Sequence, residues 1–113
     1  PKHFEPIVDG MWRGVNVGGT STAARLEGLD VCGKTGTAEN PRGRDHSTFL
    51  SFAPKDNPKI AISVYVENGG FGASAALPIA SLLEEYYLTD TIRRPALLEH
   101  IKNMNIYYPS YDR

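Results

Sequence analysis

Cysteine is nearly missing: Cys32 is the only one in 113 residues. A solitary thiol cannot close an internal disulfide, and without a Cys-x-x-Cys pair there is neither a zinc knuckle nor a dithiol redox site. Cys32 is read as a small core residue. Net charge is close to nil, −1 from 12 basic and 13 acidic residues, so the chain lacks the electrostatic footprint of a nucleic-acid or anionic-membrane binder. No apolar run approaches the roughly 20 residues needed to span a bilayer. No basic-then-apolar leader opens the chain, and there are no internal repeats or low-complexity tracts. The first residue is Pro1 rather than Met, which leads us to expect a fragment or processed piece of a longer protein.

What is present is ordinary globular material, 41% hydrophobic and 22% charged, in a length that suits one domain with a modest core. Pro6 fits a first helical position, and Ile7, Val8, Met11, Trp12 and Val15 recur at helical spacing, predicting an amphipathic helix over residues 6–17. Gly10 and Gly14 weaken that helix but permit close approach of a neighbour. Gly18-Gly19 ends it, and Thr20 or Ser21 is placed to cap a short helix over 22–26. Strands are predicted over 31–38, 47–53 and 59–67. In the second, Thr48, Leu50 and Phe52 face one way and Phe49, Ser51 and Ala53 the other. In the third, Ile60, Ile62, Val64 and Val66 share a face. The short turn over 54–58 favours antiparallel pairing of the last two strands. The glycine-rich turn 68–72 leads to a helix over 73–88, which Pro78 should kink or truly start. Pro95 opens a last helix over 96–104, followed by a tail whose Tyr107, Tyr108 and Tyr111 are expected to dock on their own domain.

One stretch, Val31-Cys32-Gly33-Lys34-Thr35-Gly36-Thr37-Ala38-Glu39-Asn40, concentrates chemistry. Its letters support two readings. Gly28, Gly33, Lys34 and Thr35 satisfy the phosphate-loop pattern G-x-x-x-x-G-K-[ST]. Lys34-Thr35-Gly36 is equally the K-T-G element that serine acyl-transfer enzymes place beside their nucleophile. A phosphate loop needs a strand before its first glycine and a helix straight after the Lys-Thr pair. Here a helical turn precedes Gly28, while Gly36, Pro41 and Gly43 break any helix that would follow. Asp30 would also repel phosphate. The context favours a strand whose backbone approaches a ligand, Lys34 bringing a cation and the threonines hydroxyl and amide donors.

Other polar clusters carry plainer readings. Asp45-His46-Ser47 imitates a triad, but adjacent residues on an extended chain point to opposite faces and cannot relay a proton, so they are taken as strand-edge polar residues. His3 and His100 stand alone, and nothing orients His3, Glu5 and Asp9 into a ligand set. Glu84-Glu85 and Arg93-Arg94 are read as solvated faces.

The order of these features resembles a known family. The helix Val8-Asp9-Gly10-Met11-Trp12-Arg13-Gly14-Val15 leads through Gly18-Gly19-Thr20 to Cys32-Gly33-Lys34-Thr35-Gly36-Thr37-Ala38-Glu39. Then come His46-Ser47-Thr48-Phe49-Leu50-Ser51-Phe52-Ala53-Pro54, Ile60-Ala61-Ile62-Ser63-Val64-Tyr65-Val66-Glu67-Asn68 and Ala76-Leu77-Pro78-Ile79-Ala80. This resembles the C-terminal end of the transpeptidase domain of class B penicillin-binding proteins, nearest the cell-elongation type. The resemblance covers residues 7–88. It therefore divides the chain into a transpeptidase segment over 1–88 and a C-terminal helix and tail over 89–113.

The resemblance implies an α+β fold: a five-stranded antiparallel sheet flanked by helices, of which these strands are the third to fifth, with the closing helix on the sheet's outer face. It implies peptidoglycan cross-linking through a serine that attacks a D-Ala-D-Ala stem peptide and is acylated by β-lactams. Lys34 and Thr37 match catalytic positions: the lysine maintains a proton network and positive potential, and the threonine amide completes an oxyanion hole. Thr35, Gly36 and Thr37 match substrate-binding positions. No cofactor or metal is implied. Implied partners are stem peptides, β-lactams, the rest of the domain and a SEDS-type glycosyltransferase, at the periplasmic face of a bacterial inner membrane with the anchor outside this chain. Two family motifs are missing, since no serine stands in Ser-x-x-Lys or Ser-x-Asn. The chain alone is therefore expected to form no acyl-enzyme, and to expose apolar surface through which it self-associates. A nonenzymatic binding module is the alternative.

Overall fold

The computed structural model describes residues 2–105; Tyr107, Tyr108 and Tyr111, expected to dock on the domain, lie outside them. In chain order come helix α1 (Phe4–Asn16), a 3-10 turn (Thr22–Ala24), strands β1 (Cys32–Ala38), β2 (His46–Ala53) and β3 (Ile60–Val66), and helices α2 (Ala76–Thr89) and α3 (Pro95–Lys102). The strands form one antiparallel sheet in the order β1-β2-β3, so β1 and β3 each pair on one side only among the described residues. The architecture is α+β, as the resemblance implies.

Register sorts the side chains onto two faces. Gly33, Ser51 and Ile62 lie side by side across the strands, as do Thr35, Phe49 and Val64, and Thr37, Ser47 and Val66. On β2 this face is buried, from Ser47 through Phe49 and Ser51 to Ala53. It receives Ala76, Leu77 and Ala80 of α2 and Val15 of α1, and the core continues into Ala24, Leu26 and Val31. The other face carries Lys34, Leu50 and Ser63 in one row. It stays open, with Leu50 50% and Tyr65 56% exposed.

Helix ends differ from the predicted ones for local reasons. α1 begins at Phe4, so Pro6 stands in its first turn, where a missing N–H breaks no helical bond. In place of the helix expected over 22–26 there is only the 3-10 turn, and Ser21, at its N-cap, makes no side-chain capping bond. α2 starts at Ala76 and not at 73, so Pro78 marks a helix start and no kink. Gly14 lies on the α1 flank facing β1, its Cβ position 3.6 Å from the Gly33 carbonyl oxygen, whereas Gly10 faces open space.

The acidic pair on α2 is not a solvated face and Arg94 is half-buried, whereas Arg93 is exposed as expected. Glu84 is fully buried and Glu85 is 2% exposed. Glu85 receives the Arg94 guanidinium at 3.2 Å and the Arg93 backbone N–H at 2.9 Å. Arg94 also donates to Ser81 Oγ at 2.8 Å and to the Ala23 carbonyl at 3.1 Å, tying α3 to α2 and to the 3-10 turn. Glu84 accepts from Ser51 Oγ at 2.9 Å. Trp12 of α1 donates its indole N–H to Asp30 at 3.1 Å, and the Lys55 ammonium stands 5.5 Å above its ring. Lys55 is held there by Asp9 at 2.8 Å.

Candidate active-site strand

The motif stretch extends because β-branched Val31, Thr35 and Thr37 favour a pleated backbone, and its glycines sit where neighbours leave no room. A Cβ on Gly33 would stand 2.5 Å from the Phe49 ring and 3.4 Å from Val15. At Gly36 the place of a Cβ is taken by the Thr48 hydroxyl. The space expected there for a ligand is thus filled on that face by a short side chain. Cys32 is fully buried, and burial pushes its thiol up to about 11, leaving a neutral core residue and no nucleophile.

Lys34 and Thr37 leave β1 on opposite faces. Lys34 pairs with exposed Leu50, and Thr37 with buried Ser47. The Lys34 ammonium folds back to donate to the Thr35 carbonyl at 2.8 Å. The Thr37 hydroxyl accepts the Gly72 N–H at 3.3 Å, and the Thr35 hydroxyl meets that of Thr20 at 3.2 Å. Strand geometry therefore does not gather the side chains into one cluster. What these residues share is the strand edge that no other described strand covers.

That edge is braced from behind. A Cβ on Gly72 would lie 2.6 Å from the carbonyl oxygens of both Gly36 and Thr48, so only glycine fits between the β3–α2 loop and the sheet. Ser47 secures the same loop. Its hydroxyl donates between the carbonyls of Phe71 (2.8 Å) and Gly72 (3.2 Å) and accepts the Ala76 N–H at 3.0 Å. Asp45-His46-Ser47 is accordingly no triad, but Ser47 is also not the strand-edge residue expected. Asp45 accepts the Asn40 N–H at 3.0 Å, and His46 Nδ1 accepts the Asn68 N–H at 3.0 Å while its ring stacks on Tyr65.

The phosphate-loop reading fails on geometry. Lys34 and Thr35 sit inside β1, and no helix follows until Ala76. A concavity lined by Phe4, Pro6, Val8, Asp9 and Lys55 lies away from the motif. Sequence reasoning missed the Thr20–Thr35 contact, having read Thr20 as a helix cap. It also missed the grip of Ser47 and Gly72, because no local pattern signals a partner 15 or 25 residues away.

The model of the penicillin binding protein transpeptidase domain matches residues 1–83, and the chain belongs to that family. It is 36% identical to the peptidoglycan D,D-transpeptidase MrdA of Haemophilus influenzae over 79% of this chain and 16% of that protein. It is also 36% identical to MrdA of Acinetobacter baumannii over 68% of this chain and 14% of the relative. Among solved structures, Pseudomonas aeruginosa PBP2 in complex with WCK 5153 superposes with a TM-score of 0.66 at 38% identity, covering 74% of this chain and 19% of that one. The imipenem acyl-enzyme of penicillin-binding protein A from M. tuberculosis gives 0.63 at 32% identity, with the same coverage of 74% and 19%. The chain thus spans less than a fifth of each relative's length.

Proposed function

We propose that this chain is the Lys-Thr-Gly-bearing part of a peptidoglycan D,D-transpeptidase, with the unpaired edge of β1 forming one wall of the acylation cleft. The observation that carries this reading is that Lys34-Thr35-Gly36-Thr37 lies on an edge strand. An edge leaves backbone N–H and C=O groups free to bind an extended peptide, and a D-Ala-D-Ala stem is such a peptide. A serine outside this chain bonds to the carbonyl carbon of the penultimate D-Ala. The peptide C–N bond breaks, and terminal D-Ala departs with the serine proton on its amine. The amine of a second stem then displaces the serine oxygen. β-Lactams take the stem's place and stop at the acyl stage.

Within that scheme Lys34 supplies positive potential beside the attacking oxygen, and the Thr37 amide faces the oxyanion. The Thr37 hydroxyl accepts from Gly72, so its own proton stays free to donate to a substrate carboxylate. The whole protein works at the periplasmic face of the inner membrane, where a SEDS-type glycosyltransferase would supply its glycan strands. The chain alone, having no Ser-x-x-Lys, acts at most as a nonenzymatic module. Fluorescent penicillin tests the assignment. It should label the complete protein, lose labelling with Lys34→Ala, and leave this 113-residue chain unlabelled. A complete protein that never labels would end the reading.

A further inference from the structure

We propose that Thr20 is a positioning residue for the reaction: its hydroxyl donates to Thr35 and so turns the Thr35 proton outward, toward the carboxylate of the bound substrate. The inference rests on the proposed function and on the substrate-binding role that the family resemblance implies for Thr35, whose hydroxyl would share the carboxylate with that of Thr37. The two hydroxyl oxygens are 3.2 Å apart, and either can donate. An arriving carboxylate only accepts. Its presence fixes the polarity of the pair: Thr35 must donate to the anion, and Thr20 must then donate to Thr35. Hydrogen bonds chained in one direction strengthen one another, and one that ends on a charge is the stronger kind.

The backbone holds Thr20 where this requires. Gly18 takes a left-handed φ of +77°, which turns the chain back toward α1. Gly19 then lies so close that a Cβ on it would stand 2.5 Å from the Gly14 Cα. On the far side of Thr20, the Ser21 N–H donates to the Gly14 carbonyl at 3.1 Å and Ser21 is buried. Gly14 itself lies beside Gly33 of β1. Thr20 is therefore clamped between two backbone contacts to the helix that packs on the motif strand.

The test compares a penicillin bearing its free carboxylate with the neutral methyl ester on the complete protein, reading the second-order acylation rate for each. Thr20→Val should lower the rate with the acid roughly three- to tenfold, the loss of one such hydrogen bond, while sparing the ester, and Thr20→Ser should restore it. Equal slowing of acid and ester by Thr20→Val would overturn the proposal, because a merely structural role moves both. So would an unchanged acid rate when Thr35→Val does slow the acid. If Thr35→Val leaves the acid rate untouched, the role of Thr35 falls as well, and the proposal with it. Thermal melting of the Thr20→Val protein close to the wild type confirms that the comparison is made on folded material.

Discussion

Glu84 faces the sheet from α2 without exposure, one carboxyl oxygen 2.9 Å from Ser51 Oγ and the other without a partner among the described residues. Loss of water pushes its pKa from 4.5 to about 7, against the opposing pull of the Ser51 hydrogen bond. Between those two values the folded chain keeps a proton that the unfolded chain has released. Stability from this group is therefore full below about pH 4.5, falls as the pH rises, and levels off above about 7. Glu84→Gln should remove that dependence. Urea midpoints should show the variant gaining on the wild type between pH 5 and pH 8, by on the order of 2 kcal/mol; an identical pH slope in both proteins would refute the burial argument. Gly33 gives a second prediction. Alanine there drives a methyl into the Phe49 ring, so Gly33→Ala should cost about 1–3 kcal/mol in denaturant unfolding. Phe49→Leu in the same background should recover part of the loss.

Among the elements, the start of α2 is held by one β2 hydroxyl. Ser47 satisfies the first amide of the helix and holds two carbonyls of the preceding loop. Ser47→Ala leaves these groups buried and unpaired, and should lower stability by about 1–3 kcal/mol. In the complete protein it should also slow penicillin acylation, since the same loop supports Thr37 through Gly72. Unchanged acylation by a destabilised Ser47→Ala protein would show that the loop carries no influence on the motif strand. The strands were legible because their determinants are local: on β2 the period-two run Ser47, Phe49, Ser51, Ala53 is the buried face itself. Glu84-Glu85 was misread because α2 is enclosed on more than one side. Glu84 finds Ser51 33 residues away, while Arg94 returns to cover Glu85 from the next helix. A helical wheel shows neither neighbour.

For the molecule as a whole, the Lys-Thr-Gly run marked the candidate site, while the parts that brace its strand, Gly72 and Thr20 from loops and Ser47 from β2, have no motif of their own. Among the described residues both outer strands have an uncovered edge, and the open face presents Leu50 and Tyr65. Such edges and patches pair with another copy unless something covers them. The isolated chain should accordingly show a mass that rises with concentration in light scattering, and a compact monomer throughout would contradict this. Trp12 offers a built-in gauge of the same molecule. It is the single tryptophan, and it stands where α1, the approach to β1 and the β2–β3 turn meet, gripped by Asp30 and overlaid by Lys55. Its emission colour reports whether that corner is shut. Because the Lys55–Asp9 clamp is partly solvated, added salt should loosen it and redden the glow before any helix melts.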